Sequence, residues 1–302
     1  MLDRLLRFAL LAAAATVLAL GLAGSALARG RDISIDSSGG EEGCAALRVR
    51  FNGVTAVKEE QSLAVPGGTT LRLHAPDSSG LRVSGWDKAD FEITVCKVAR
   101  DTAALSRISV SAPKGVVSVD GIDGDDALVF FYVKAPREAV LDLAAENGPM
   151  ALRDLHASVT ARLANGPLSL SGVHGTVDVE ASNGPVSFRD GSGDWTLRVT
   201  NGPLSARFAG ARWEGKGLVA EAVNGPLTVR LDPSFDSGLR VSAAAWAPVR
   251  CRAAACATAH RTGGRDEEGG EQSLQIGSGE PLVRLSTVNG PVTIKDDGAA
   301  AD

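Results

Sequence analysis

The stretch NGPMALRDLHASVTARLANGPLSLSGVHGTVDVEASNGPVSFRDGSGDWTLRVTNGP, residues 147–203, carries four copies of the tripeptide Asn-Gly-Pro at a constant spacing of 18 residues. Two further copies begin at Asn224 and Asn289. A short fixed period indicates one supersecondary unit that stacks on copies of itself and buries a shared core. The sequence therefore predicts a β-solenoid with Asn-Gly-Pro at its corners.

Each repeat contains two segments that alternate between apolar and polar residues. When the Asn is counted as position zero, positions three and five are apolar in all six copies, while position four is small or hydroxylated. Positions twelve, fourteen and sixteen are again apolar, as in Val177, Val179 and Ala181, and their neighbours Asp178 and Glu180 are charged. A period of two places one face in the core and the other in water, so both segments are predicted to be strands.

The tripeptide has a backbone explanation that needs no ligand. Gly permits a positive φ at the corner, Asn tolerates that region better than most residues, and Pro fits the start of a strand. Stacked repeats would place the Asn side chains in one column about 4.8 Å apart, where each amide can bond its neighbour or the local backbone. We interpret this column as structural, with a surface recognition ladder as the alternative. Its members are Asn147, Asn165, Asn183, Asn201, Asn224 and Asn289.

The N-terminus has the pattern of a secretory signal peptide. Arg4 and Arg7 supply the positive region, Phe8 to Leu22 the apolar region, and Ala26-Leu27-Ala28 a small-x-small cleavage site. We predict cleavage after Ala28, with a retained N-terminal anchor as the alternative, and a periplasmic, cell-surface or extracellular protein. No later apolar run is long enough to span a bilayer. The net charge is −5, and the sequence contains no basic cluster that would favour binding to nucleic acid.

Four cysteines follow the predicted cleavage site, and an even number in an exported chain favours disulfides. Cys251 and Cys256 enclose four residues and are predicted to staple a hairpin tip, which would leave Cys44 and Cys96 as the other bridge. Three pairings are formally possible. The spacing matches neither a zinc site nor a Cys-x-x-Cys redox motif, so no metal or cofactor is expected.

Three segments follow the predicted signal peptide of residues 1–28. Residues 29–65 form a linker or cap, and residues 66–296 form the repeat domain. A hairpin excursion interrupts this domain at residues 250–280, where Gly263, Gly264 and a Glu/Gly run replace the repeat pattern. Residues 297–302 are predicted to be a disordered tail.

Three stretches resemble one known family: LRVSGWDKADFEITV at 81–95, the VNGPLTV unit at 223–229, and VRLSTVNGPVTI at 283–294. They look like exported bacterial proteins known as putative adhesins, a domain of unknown function, and the similarity covers roughly residues 66–296. The resemblance implies an all-β chain folded as a right-handed parallel β-solenoid in the cell envelope. It supplies no catalytic residues to carry over.

Several side chains allow other interpretations. The carboxylates of Asp120, Asp123, Asp125 and Asp126 are first interpreted as an acidic corner, with a Ca²⁺ site or a glycosidase-like acid and base pair as alternatives. His156 and His174 share position nine, so their rings are expected to stack at one corner about 4.8 Å apart, and half a metal site is the less favoured alternative.

The tryptophans could stack on sugars, but a core role is favoured for Trp195 and a capping role for Trp86 and Trp213. No nucleophile arrangement or phosphate loop stands out in the sequence. The chain is therefore predicted to be a non-enzymatic envelope module that binds an unknown polymer or protein. It is not expected to bind nucleic acid, and no membrane span is expected after the signal peptide is cleaved. The alternatives are a polysaccharide-active β-helix enzyme and a self-assembling envelope scaffold.

Overall fold

The computed structural model describes residues 33–37, 43–122, 126–263 and 270–298 of the 302-residue chain. These residues form an all-β structure with one short helix, α1 (Thr102–Leu105), and short 3₁₀ turns at Pro113–Gly115 and Ala254–Thr258. The strands are β1 (Ile33–Ser37), β2 (Leu47–Phe51), β3 (Val54–Thr55), β4 (Val57–Val65), β5 (Thr70–Ala75), β6 (Gly80–Trp86), β7 (Phe91–Ala99), β8 (Ser109–Ser111), β9 (Val116–Asp120), β10 (Ala127–Pro136), β11 (Val140–Asn147), β12 (Met150–Asn165), β13 (Leu168–Asn183), β14 (Val186–Arg189), β15 (Ser192–Asn201), β16 (Leu204–Phe208), β17 (Gly217–Asn224), β18 (Leu227–Leu231), β19 (Ser237–Ala244), β20 (Val249–Cys251), β21 (His260–Thr262), β22 (Glu271–Ile276), β23 (Ser278–Asn289) and β24 (Val292–Asp296).

The repeats pair in parallel at an offset of one period. Met150 lies opposite Leu168, and Asn147, Asn165 and Asn183 lie opposite one another in turn. From β14 onward each repeat contributes a short strand after the Pro and a longer one before the next Asn. The short strands pair in the order β14, β16, β18, β24, and the longer ones in the order β15, β17, β23. The prediction of an all-β chain with a large, mostly parallel sheet is confirmed.

Two bends in each central repeat turn the chain from one face to the other. At the Asn-Gly-Pro bend Gly184 has a φ of +131°, and a Cβ on it would lie 2.2 Å from the carbonyl oxygen of Gly166. Its own N–H donates to the carbonyl oxygen of Asn201 in the next repeat at 2.9 Å. The opposite bend has a left-handed residue at Asp154 and Asp190. Glycine at the first bend is therefore required by close backbone packing as well as by its dihedral angle.

The core consists of the inward apolar positions that the alternation predicts, and it is filled largely by Leu, Val and Ala. Trp195 is 1% exposed and Trp213 is 5% exposed, so both belong to this core. Edge-on aromatic contacts join Trp195 to Phe188 and Trp213, with ring centroids 5.6 and 5.4 Å apart. The core role predicted for Trp195 is confirmed, and Trp213 is buried beside it.

The N-terminal part differs from the predicted continuation of the repeat pattern. β7 lies between β4 and β10 and pairs antiparallel with both, although β10 also pairs in parallel with β6. β1, β2 and β3 form a separate antiparallel sheet within the predicted 29–65 segment. Phe51 packs there with Leu128 and Phe130. Alternation identifies strands, but it carries no information about the direction of the neighbouring strand.

Both predicted disulfides are confirmed. Cys44–Cys96 joins the segment before β2 to β7, with a Cα–Cα distance of 5.2 Å, and so connects the small sheet to the large one. Cys251–Cys256 does not close a hairpin tip as predicted. It ties the end of β20 to the 3₁₀ turn that follows it, while the antiparallel hairpin is formed by β21 and β22.

Some predictions concern residues that the structure does not describe. The signal peptide, most of residues 29–43 and the last four residues of the predicted tail lie outside the described residues. Among the residues that the structure does describe, no helix has the length and apolar character that crossing a membrane requires.

Candidate functional site

One outer face of the large sheet carries two parallel rows of polar side chains. It is built by the adjacent strands β12, β13, β14, β16, β18 and β24, and we call it the basic face. Position four forms a hydroxyl row in five of the six repeats, the first having Ala151 there, and position six forms a row that is mostly arginine. The hydroxyl row is Ser169, Ser187, Ser205, Thr228 and Thr293; the arginine row is Arg153, Arg189, Arg207, Arg230 and Lys295.

The strand register sets the spacing of these rows. Arg189 lies opposite Arg207, Arg207 opposite Arg230, and Arg230 opposite Lys295. Neighbouring strands are about 4.8 Å apart, so four cations follow one another at that interval. In the second row Ser171 occupies the place between Arg153 and Arg189. The two rows enclose a shallow groove of about 270 Å³.

Charge compensation on the basic face is sparse. The guanidinium of Arg207 donates to the Asp297 carboxylate from Nε at 2.8 Å and from Nη2 at 2.7 Å, and this contact raises the pKa of Arg207. Within the described part of the chain, Arg153, Arg189 and Arg230 form no ion pair. Asp154 and Asp190 follow two of these arginines in the chain, at the bend that borders the face.

The same surface continues onto β6 and β10 with aromatic side chains. The guanidinium of Arg82 lies 6.0 Å from the ring centre of Tyr132. The ammonium groups of Lys88 and Lys134 lie 4.7 and 5.4 Å from the ring centre of Trp86. Trp86 is half-buried, and its indole N–H donates to the carbonyl oxygen of Asp90, so it contributes at the edge of this surface and not in the core.

The opposite outer face has a different charge pattern, and we call it the paired face. In register across β12, β13, β15 and β17 stand Arg162, Glu180, Arg198 and Glu221. Opposite charges therefore alternate from strand to strand. Arg162 lies 3.5 Å from Asp142 and 4.0 Å from Glu180, and Arg198 lies 3.6 Å from Glu221.

The six Asn side chains form a continuous chain of amide hydrogen bonds at the edge between the faces. Asn165 donates to Asn147, Asn183 to Asn165, and each later Asn to the one before it, at 2.8–3.0 Å. Asn147 in turn donates to Asp77. Each amide thus has its partner inside the column, and the structural role of the column stays a prediction until it is tested by substitution.

The histidines meet at the opposite bend, as predicted, with ring centroids 4.8 Å apart for His156 and His174. One contact here was not predictable from the repeat pattern alone: Nδ1 of His174 lies 2.6 Å from Oγ of Ser192, which occupies the same position one repeat later. Burial lowers the pKa of His174, and the charge of His156 acts in the same direction. His174 and Ser192 line a cleft of about 510 Å³, which Trp213 also lines.

A serine and a histidine in contact are two of the three groups of a hydrolase triad. The third group is a carboxylate that holds the imidazole in place. Within the described residues, no carboxylate forms a hydrogen bond with His174, and the acids that influence its pKa act only through their charge. Among the described residues, the arrangement therefore lacks the orienting acid.

The acidic corner is described only in part, because Asp123 and Asp125 lie outside the described residues. Asp126 forms an ion pair with Arg100 at 3.2 Å, and Asp120 ends β9. No cluster of three or more metal-ligating side chains occurs in the described ranges. The calcium and glycosidase interpretations of this corner remain predictions.

Comparisons with known proteins give little to set beside this geometry. No family model and no curated protein matches the chain. Similar solved structures include a "putative cell adhesion protein" from Clostridium sporogenes, with 12% identity, a TM-score of 0.36, and coverage of 80% of this chain and 100% of that one. A "putative adhesin" from Bacteroides fragilis has 9% identity, a TM-score of 0.26 and coverage of 80% and 97%.

A "putative lipid binding protein" from Parabacteroides distasonis has 11% identity, a TM-score of 0.31 and coverage of 78% and 96%. At these identities and TM-scores the likeness carries no argument about the fold, ligand or activity of this chain.

Proposed function

We propose that this chain is a non-enzymatic, exported binding module of the cell envelope, built as a parallel β-solenoid of 18-residue coils. The parallel register at one period and the column of Asn side chains support the solenoid. Two disulfides and a leader-like N-terminal sequence support export, since disulfides persist in oxidising compartments.

The observation that carries the binding role is the pair of rows on the basic face. A surface that presents the same two side-chain types on several successive strands can meet an extended polymer at many weak points. Linked weak contacts give a combined affinity well above that of any single contact. The basic face would therefore hold an extended polymer laid across the strands.

The two alternatives have less support. A polysaccharide-active enzyme needs two suitably placed carboxylates, or a nucleophile with a complete relay. The His174–Ser192 pair has no orienting acid among the described residues, and the acidic corner is incompletely described. An end-to-end scaffold needs bare strands at the ends of the sheet. Among the described residues, β20 and β21 have one strand partner each, but both are only three residues long, and such short edge strands limit pairing with another copy.

The test is an array of cell-wall polymers and glycans on which the purified protein is assayed for both retention and product release. Retention without turnover is the expected result. Release of product would overturn the non-enzymatic assignment and direct attention to the Asp120–Asp126 corner and to His174. Failure of every polymer to retain the protein would overturn polymer binding.

A further inference from the structure

Resting on the proposed function, we propose that the polymer bound by the basic face is an acidic polysaccharide. Its carboxylates would be accepted by the arginine row, and its hydroxyl groups would exchange hydrogen bonds with the hydroxyl row. Three observations carry this inference: the stacked like charges, the internal carboxylate already bound in the row, and the unused hydroxyls.

The first observation is that the arginine row places like charges side by side. Arg189, Arg207 and Arg230 are register partners on three successive strands. Like charges directly opposite each other in a sheet destabilise it. A polymer that carries one negative group every one or two strand intervals would reverse the sign of this interaction, which gives the row a reason to bind a polyanion.

The second observation is that the molecule already shows how a carboxylate binds in this row. One oxygen of Asp297 accepts from both Nε and Nη2 of Arg207, at 2.8 and 2.7 Å. Asp297 follows β24, two strands away from Arg207. Its carboxylate thus occupies one arginine of the row and leaves Arg153, Arg189 and Arg230 as further places for carboxylates of a ligand.

The third observation concerns the hydroxyl row. Ser187 and Ser205 are exposed, Ser169, Thr228 and Thr293 are half-buried, and none of the five hydroxyls has a hydrogen-bond partner within the described residues. A hydroxyl both donates and accepts, so a row of them matches the hydroxyl groups of sugar rings. Among the described residues that line the groove, the one aromatic side chain, Phe188, is 2% exposed, so the groove itself offers no platform on which nucleic acid bases could stack.

The experiment uses two forms of one polymer. Polygalacturonate carries a carboxylate on every sugar, and its fully methyl-esterified form has the same backbone without the charge. Inorganic polyphosphate serves as a polyanion without sugar hydroxyls. The dissociation constant of the full chain is measured for each of the three polymers, at low and at high salt. Binding to polygalacturonate that weakens with salt, and weaker binding to the ester and to polyphosphate, are expected.

The matched variants carry the same change of charge on the two faces. Arg189→Gln with Arg230→Gln removes two arginines of the basic face, and Arg162→Gln with Arg198→Gln removes two arginines of the paired face. We expect binding to weaken about tenfold for each arginine lost from the basic face, because a hydrogen bond to a charged group is being removed. The paired-face variant should bind as the parent does.

Two further variants test the geometry of the row. Arg189→Lys with Arg230→Lys keeps the charge but loses the planar fork, so intermediate binding is expected. Asp297→Asn frees Arg207 from its internal competitor and should tighten binding by about threefold, since an occupied site lowers the apparent affinity. Melting curves of all variants show whether each has kept its fold.

The outcomes separate this inference from the proposed function. Equal binding to the ester, tighter binding to polyphosphate, or equal loss in the two double variants would overturn the acidic polysaccharide. The proposed function would still stand if another polymer of the array retained the protein. If no polymer were retained, both would fail.

Discussion

The basic face and the paired face are built from the same repeats but arrange their charges in opposite ways. Along the paired face the sign alternates from one strand to the next, as in Glu180, Arg198 and Glu221, so stacking brings each charge beside an opposite one. Along the basic face the same sign recurs, as in Arg189 and Arg207. In a parallel stack, a position whose charge changes sign from one repeat to the next therefore gives a neutralised surface. A position that keeps the same sign gives a charged surface.

This difference indicates which face is free to bind. Side chains of the paired face already have partners at 3.5–4.0 Å, and a ligand would have to displace them. Most arginines of the basic face form no ion pair with a carboxylate in the described structure. A ligand would therefore add interactions there without removing any. Exposed ion pairs contribute only about 0–1 kcal/mol each, so the contrast concerns binding more than stability.

The largest effect is expected from a substitution at the Asn-Gly-Pro bend, which connects the two faces and should disrupt both. Gly184→Ala would place a Cβ 2.2 Å from the carbonyl oxygen of Gly166, in backbone that cannot easily shift. We expect a loss of roughly 4 kcal/mol or more in the free energy of unfolding, or no folded protein, since such values arise where backbone is displaced. Chemical denaturation measures the loss.

Gly210→Ala is the control for that substitution. Gly210 also has a positive φ, +86°, but a Cβ there would meet nothing within 4 Å. The dihedral strain alone should cost about 1 kcal/mol. Equal losses in the two variants would show that the close approach at the Asn-Gly-Pro bend does not matter.

A smaller effect is expected from the column of Asn side chains between the faces. Asn183→Ala removes its hydrogen bond to Asn165 and the one that it accepts from Asn201. Because the site is exposed, we expect a loss of about 1–2 kcal/mol in the free energy of unfolding, and polymer binding should be unchanged. Thermal melting and the polymer array together measure the two quantities.

Ser182→Ala provides the reference, because Ser182 is exposed and its side chain forms no hydrogen bond within the described residues. Its stability should match that of the parent. If Asn183→Ala left the melting unchanged but abolished polymer binding, the column would be a recognition ladder, and its structural interpretation would be wrong.

The sequence predicts the repeated part of this fold because each position has the same role in every copy. Position three is inward in Met150 and in Leu168, and these residues lie opposite each other. The stacking of His156 on His174 follows from the same logic, and the structure confirms it. Stacking at one period requires no knowledge of distant contacts, which is why it can be inferred without a structure.

Other features could not be inferred in this way. In the run from Leu128 to Tyr132, alternate residues pack into two cores: Phe131 lies in the large core, and Phe130 packs under the small sheet. A continuous apolar run does not say how its two faces are covered.

The basic face is predictable from the sequence only in part. Its arginines share position six, so an alignment of the repeats already contains the signal. The contact between Arg207 and Asp297 spans 90 residues and joins a repeat to the end of the last one. No local pattern predicts such a contact, because it depends on which strands end beside each other.

The contrast between the faces can also be measured through stability, because loss of an arginine should change the free energy of unfolding in opposite directions on the two faces. Arg189→Gln removes a charge that faces Arg207 across the strands, so we expect the free energy of unfolding to rise by about 0.2–0.5 kcal/mol. Arg198→Gln removes the partner of Glu221 and should lower it by about 0.2–1 kcal/mol. Denaturant titrations at low salt provide the measurement.

High salt should remove most of both changes, since exposed charges are screened. A rise for both variants, or a fall for both, would mean that the two faces do not differ in charge compensation, and the case for the basic face as the binding surface would then lose its main support.

The smallest expected effect lies at the bend opposite the Asn column, where His174 contacts Ser192. Burial lowers the pKa of His174, and the charge of His156 adds to this, while Glu214, Asp154 and Asp190 oppose it. The folded state therefore binds the proton less readily than the unfolded chain does, so stability is fully present above the unfolded pKa of about 6.5 and decreases as the pH falls below it. Melting temperatures between pH 5 and pH 8 should show a slope that His174→Gln reduces. His260→Gln, at an exposed position on β21, is the control for the substitution itself. Because His174→Gln also alters the contact with Ser192, the slope and not the level of stability is the deciding quantity. An unchanged slope in His174→Gln would mean that this bend titrates like an exposed surface and that the stacked imidazoles impose no cost on protonation.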